Sequence, residues 1–169
     1  PSILDCIFLL KEGFCESIYF TINNFSDDLK NLLEPKSPPF KKREEAIKRC
    51  LKENLPVIPY FSPLLPRVSN IDSAFSRFED AKEIDFEGLN FNLGNIEEVV
   101  SAIGSLYPDL KPFYEKMKID TQFYNDTWDK IKKEIVKQAI KAKKNHRIYI
   151  HTLEAYFQNK YKASIEFRT

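Results

Sequence analysis

The sequence predicts an α/β protein whose parallel strands alternate with amphipathic helices and give way to a mostly helical tail. Short apolar runs bounded by turn residues fall at residues 17–22, 55–61 and 84–93, and amphipathic helical patterns lie between them. From Asn95 onward the periodicity is helical. Consecutive strands separated by helices pair in parallel through right-handed crossovers, so the front of the chain reads as βα units. Three strands are too few to close a barrel, and the expectation is that further strands precede Pro1.

Residues 2–11 place Ile3, Leu4, Ile7, Phe8 and Leu10 in an amphipathic helix that stops near Gly13, and a start at Pro without Met reads as a chain cut from something longer. SIYFTI (17–22) has the short apolar character of a buried strand. After it Asn23 and Asn24 supply turn chemistry, and Ser26 caps a short helix through Leu29, Leu32 and Leu33 that must end before Pro35. Pro38 and Pro39 break the chain again, and FKKREEAIKRCLKEN then sets Phe40, Ala46, Ile47, Cys50 and Leu51 on one helical face. LPVIPYF (55–61) is the second strand; its Pro59 removes a ladder donor or marks a bulge.

SPLLPRVSN is too rich in Pro for a helix and reads as a loop at a strand's C-terminal end. The helix over 71–83 carries Ile71, Ala74, Phe75, Phe78 and Ala81 in register, and IDFEGLNFNL (84–93) is the third strand. A helix with Ile96, Val99, Val100 and Ile103 breaks at Pro108. The long helix over 123–144 buries Tyr124, Trp128, Ile131, Ile135, Ala139 and Ala142, opposite a stripe of Lys130, Lys133, Lys137, Lys141 and Lys144. IYIHTLEAYFQNKY is a last helix or a strand-to-helix transition, and ASIEFRT reads as a short edge strand. The division implied is a barrel-like part over 1–94 and a helical extension over 95–169.

Composition sets the function classes. At 169 residues and 43% hydrophobic content the chain can bury one substantial core, which argues against disorder. Lys and Arg number 26 against 25 Asp and Glu, so net charge points neither to nucleic acid nor to a membrane surface. No apolar run reaches the roughly 18 residues of a membrane span, and the expectation is a cytoplasmic protein without a membrane partner. Cys6, Cys15 and Cys50 are odd in number and widely spaced, unlike a disulfide framework or a zinc knuckle, and read as buried thiols. His146 and His151 lack a third ligand at helix-face spacing, so packing or surface roles outweigh metal binding. The glycines at 13, 88, 94 and 104 are too scattered for a phosphate cradle. The Lys stripe, interspersed with Asp129 and Glu134, reads as a solvated face before it reads as a phosphate contact.

One stretch is more specific. IYFTINN, followed by LLEPKSPPFKKREEAIKRCLKENLPVIPYFSPLLP, resembles the radical S-adenosylmethionine superfamily in its spore photoproduct lyase-like branch. There, a strand ending in a Phe-Ser-Ile-Asn-like sequence leads to Glu-Pro, a Ser/Pro turn, an Arg-led amphipathic helix and a strand finishing near Ala-Pro-Ile. The likeness is good over residues 17–66 and looser through IDFEGLNFNL and SLYPDL. It implies the C-terminal half of a partial (β/α)6 TIM-like barrel followed by a helical tail. The [4Fe-4S] cluster ligands, a Cys-x3-Cys-x2-Cys loop absent from this sequence, would then belong to a missing N-terminal half. The implied chemistry is reductive cleavage of S-adenosylmethionine to a 5′-deoxyadenosyl radical that abstracts hydrogen from a substrate.

The resemblance also implies site residues. Thr21 stands where the family has a Ser that contacts the amino-acid end of S-adenosylmethionine, and Asn23 matches the Asn at the strand end. Glu34 matches the Glu of Glu-Pro and Arg43 the Arg that opens the helix, a residue equally suited to a surface ion pair. Ser62 lies in the strand-end loop near the expected adenosine position. After the third strand this chain has NFNLGN in place of a basic and aromatic His-Arg-Phe-Thr segment, which leaves the substrate open, a nucleic-acid lesion among the candidates. Two other classes stand beside this one: a nucleic-acid-binding module using the Lys stripe, and a non-catalytic α/β interaction domain.

Overall fold

The computed structural model describes residues 8–14, 16–23 and 25–153. Strands β1 (Ile18–Ile22), β2 (Val57–Leu64), β3 (Asp85–Gly88) and β4 (Ile148–Tyr149) form a single sheet in the order β1-β2-β3-β4. All neighbouring pairs are parallel. The α/β expectation is met, in a sheet that grows in one direction along the chain. Between β1 and β2 come α1 (Asp27–Leu33) and α2 (Phe40–Lys52), and between β2 and β3 comes the short α3 (Ala74–Arg77). The remainder is α4 (Ile96–Leu106), a 3-10 turn at Pro108–Leu110, α5 (Lys111–Ile119), α6 (Thr121–Ala142) and then β4.

The register sorts each strand's side chains between two unlike faces, because successive residues point to opposite sides. Ile22, Phe61, Phe86 and Ile148 are aligned across the sheet and all are buried. Phe61 stacks on Phe86 with ring centres 5.4 Å apart, and Phe75 and Phe78 close on the pair from the α3 side at 5.6 and 6.0 Å. Each fully buried Phe of this kind contributes about 1.5–3 kcal/mol. From α2, Ile47 and Cys50 complete the same core. The opposite face carries Tyr19 and Thr21 on β1, Tyr60 and Ser62 on β2, Asp85 and Glu87 on β3, and Tyr149 on β4. Tyr60 stands edge-on to Tyr19 at 5.7 Å and to Tyr149 at 6.0 Å, forming an aromatic ladder across the sheet.

Several local expectations are met for the reasons given in the sequence. Ser26 caps α1 by accepting the Leu29 N–H at 3.3 Å, and α1 ends at Leu33, two residues before Pro35. Helix α6, expected from 123, starts at Thr121, where Asp120, not singled out in the sequence, caps it by accepting the Phe123 N–H at 2.9 Å. Pro59 sits inside β2, but β3 pairing begins at Tyr60, so the missing donor falls where β2 has one neighbour. The irregularity in the ladder comes later, between Phe61 and Leu64, beside a cis Ser62–Pro63 peptide.

Other expectations need correction. Residues 62–64, read as the start of a loop, extend β2, because Leu64 pairs with Gly88 and is buried. The helix read over 71–83 shrinks to the four residues of α3, and the strand read to Leu93 ends at Gly88. Helix α5 had no counterpart in the sequence reading, although Pro112 suits its first turn and Phe113, Tyr114 and Met117 recur at helical spacing. IYIHTLEAYFQNKY, read as a last helix or a strand-to-helix transition, begins with the strand β4, and its residues 154–161 lie outside the described residues. Residues 2–7 of the opening helix and the edge strand read at 163–169 lie outside the described residues.

Gly88 shows how closely the tail packs on the sheet. A Cβ there would come within 2.7 and 2.8 Å of the Trp128 ring and 2.9 Å of Ile150. Both neighbours are buried and have little room to yield. Gly88→Ala is therefore expected to cost about 1–3 kcal/mol as an overpacking substitution, read as a lowered urea midpoint. An unchanged midpoint would mean that α6 can move away from β3.

Candidate ligand-binding site

At the C-terminal end of β1 the chain turns through Asn23 into α1, and the residue after α1 is Glu34. Arg43, in the first turn of α2, returns to the same place. Asn23 Nδ2 donates to Glu34 Oε1, and Arg43 Nη2 donates to Glu34 Oε2 at 3.2 Å. Asn23 and Arg43 are buried, at 2% and 9% exposure, so this pair of contacts is not the surface ion pair that a helix-opening Arg usually makes. Two polar atoms of the cluster are buried with no hydrogen-bond partner, Asn23 Oδ1 and Arg43 Nε. One is an acceptor and the other a donor.

A second cluster is centred on Glu87, on the polar sheet face. Ser62 Oγ donates to Oε2 at 2.5 Å, His151 Nε2 lies 3.0 Å from Oε1, and the Tyr60 hydroxyl is close to the same carboxylate. The His151 hydrogen bond, with that of Ser62 and the nearby Tyr60 hydroxyl, holds the Glu87 carboxyl below its usual range despite burial. Burial and the adjacent carboxylate push the Tyr60 phenol well above its usual range. Asp85, fully buried two residues earlier, moves the other way. Burial and the charge of Glu83 push its carboxyl up to about 6, with the Arg147 N–H at 2.8 Å from Oδ1 acting in opposition. Its Oδ2 has no partner.

Glu34 and Glu87 open onto one cavity of about 330 Å³ at the C-terminal ends of β2 and β3. Ser62 adds a hydroxyl to the lining, while Phe25, Leu33 and Val99 are among its apolar walls. Pockets of this size, mostly apolar with a few convergent polar groups, suit small ligands, and in parallel α/β sheets they lie past the strands' carboxyl ends.

The residues singled out in the sequence therefore divide. Asn23, Glu34 and Arg43 come together, and of the five predicted residues Glu34 and Ser62 line the cavity, whereas Asn23 and Arg43 do not. Thr21 lies apart from them, exposed on the sheet face beside Tyr60 and outside the cavity lining. Glu87 and His151 were missed because 64 residues separate them. The available signal was the pair of carboxylates Asp85 and Glu87 two apart on a strand, which puts both on one face.

No group of three His, Cys, Asp or Glu able to hold a metal ion occurs among the described residues. Cys50 is a buried thiol, and burial pushes its pKa up; Cys6 and Cys15 lie outside the described residues. No helix among the described residues is long and apolar enough to cross a membrane. Compared with known proteins, the chain matches no family model, no curated protein and no solved structure.

Proposed function

We propose that this chain is the C-terminal part of the partial barrel of a cytoplasmic radical S-adenosylmethionine enzyme, and that its cavity holds S-adenosylmethionine. The observation that carries the reading is the Asn23–Glu34–Arg43 cluster, whose Glu34 carboxylate belongs to a residue that lines the cavity. The methionine end of the ligand bears an ammonium, which Glu34 in the cavity lining suits, while Asn23 and Arg43, outside the lining, hold that carboxylate in place. The apolar walls suit the adenosine, with the Ser62 hydroxyl as a hydrogen-bonding partner. A sheet of sequentially ordered parallel strands is also what part of such a barrel would contain.

The [4Fe-4S] cluster does not fit the residues described, which offer no suitable ligand set, so in this reading other residues hold it. Bound S-adenosylmethionine, given one electron by a cluster that other residues would hold, would supply a radical for hydrogen abstraction from the substrate. The residues of this chain bind and orient the ligand. Glu34 is fixed by two donors, Arg43 is fixed by Glu34, and the apolar walls limit access of water to the space between them. Thr21 shares the sheet face of Ser62 and Glu87 but lies outside the lining, so in this reading it is not a direct contact of the ligand.

The test is isothermal titration of S-adenosylmethionine into the full-length protein, reconstituted anaerobically with iron and sulfide, alongside Ser62→Ala and Asn23→Ala variants. Saturable binding weakened by about tenfold in Asn23→Ala, and less in Ser62→Ala, is the expected result. A folded protein with a spectroscopically confirmed cluster and no binding would end the assignment. Salt-dependent binding of nucleic acid without the cofactor would then favour the Lys stripe.

A further inference from the structure

The outer side of α6 and the edge of the sheet form a groove of about 480 Å³ that the cofactor reading does not use. Val136 and Ile140 line it from α6 and Ile148 lines it from β4, with Lys133 and Lys137 alongside. Val136 is 37% exposed and Ile140 71%, and they stand one helical turn apart, so two branched apolar side chains meet solvent beside a buried strand residue. Among the described residues β4 is the outermost strand on this side of the sheet. The Phe86 N–H bonds the Arg147 carbonyl at 2.9 Å, and alternation along a parallel ladder then turns the Ile148 N–H and C=O away from β3. An edge strand beside an apolar groove is a template for one more strand.

The chain itself carries a segment of the required pattern. Beyond Leu153 it continues through residues 154–169, and ASIEFRT (163–169) has Ile165 and Phe167 two apart with Glu166 between them. On an extended strand those two apolar side chains share one face about 6.8 Å apart, close to the roughly 6 Å rise between Val136 and Ile140 along the helix. Glu166 then points to the opposite face. There β4 presents Tyr149, and Arg147, which is half-exposed, ion-pairs with Glu83 at 3.1 Å and donates to the Tyr19 hydroxyl. The register that fills the groove therefore also brings a carboxylate to the cationic side of the edge. Residues 154–162 span up to about 30 Å when extended, enough to return to an edge that the chain has just left.

We propose that residues 163–169 add a fifth strand to the sheet along β4, seat Ile165 and Phe167 against Val136 and Ile140, and so brace the ligand cavity from outside. The link to the cavity is short. Two residues after β4 the chain reaches His151, whose Nε2 stands 3.0 Å from the carboxylate of Glu87 in the cavity lining. Strand β4 is two residues long and pairs with β3, so a strand on its other side adds backbone hydrogen bonds where the sheet is thinnest. Those bonds hold the segment that carries His151 against Glu87, whichever ligand the cavity takes.

The experiment is NMR of the full chain, isotope-labelled at Ile and Val methyls, Phe rings and backbone amides, beside a chain ending at Lys162 and a variant carrying Ile165→Asp with Phe167→Asp. The full chain is expected to show through-space contacts from the Phe167 ring to the Val136 and Ile140 methyls. Both altered chains should lose these contacts, shift the methyls and exchange the Ile148 amide about tenfold faster. Ile140→Asp, at an exposed position, is the reciprocal change and should give the same loss. Methyl shifts and Ile148 exchange unchanged by removal of the segment would overturn the docking. Phe167 contacts seen only between differently labelled molecules would overturn it as well, and assign the groove to a second copy of the chain. His151 ring signals that stay in place in the chain ending at Lys162 would overturn the bracing role.

Discussion

Replacing Glu34 with Ala is expected to lower the unfolding free energy by about 2 kcal/mol and to abolish measurable S-adenosylmethionine binding together. The stability loss follows from what remains. Arg43 keeps its charge, its side chain is 10% exposed, and it loses the carboxylate at 3.2 Å; Asn23 loses the acceptor of its amide. A buried guanidinium without a counter-ion costs more than the pair itself contributes, so a second substitution should restore part of the loss. Arg43→Met in the Glu34→Ala background is predicted to recover about 1 kcal/mol, as judged by urea unfolding of all four members of the cycle. Binding should not recover with it. If affinity returned along with stability, Glu34 would be a purely structural brace and the methionine end would have to be placed elsewhere.

The same residues show what a sequence can disclose. Helix starts, the cap at Ser26 and the alternation of strands and helices depend on neighbours a few positions away, and they were legible. The cluster of Asn23, Glu34 and Arg43 was legible for a related reason, since one βα connection contains all three. Glu87 and His151 meet only because β4 adds to β3 after four intervening helical segments, and nothing local in IYIHTLE announces a parallel edge strand two residues long. Lengths failed where tertiary packing decided them. Phe78 and Ala81 have helical spacing and are buried, yet the chain leaves the helix at Arg77, with burial preserved in an irregular segment. The pleat puts Thr21 on the same face as Ser62 and Glu87, a direction that alternation along the strand fixes, while its distance from the cavity depends on packing that the strand pattern does not carry.

Asp85→Asn is expected to act in the opposite sense to Glu34→Ala and to stabilise the protein at neutral pH. Burial, reinforced by Glu83, holds the native Asp85 carboxyl up to about 6, against an ordinary value of 3.8. The native state therefore binds a proton that the unfolded chain has released over that interval. Stability falls as pH rises through it, and the full cost of ionising a buried carboxylate stands above it. An interval of about two pH units corresponds to about 3 kcal/mol. The amide cannot ionise, its Oδ1 can still accept the Arg147 N–H, and its Nδ2 stands near the Glu83 carboxylate. Loss of the attraction between the ionised carboxylate and Arg147 offsets part of the gain. The variant should be about 1–2 kcal/mol more stable than the parent above pH 7 and level with it or slightly less stable near pH 4. Urea unfolding of both proteins from pH 4 to 8 reads the difference, and a difference independent of pH would show that Asp85 is not the titrating group. A fold that would gain from losing this carboxylate keeps it on the sheet face that also presents Glu87, where ionisable groups held against their burial are expected to serve ligand chemistry.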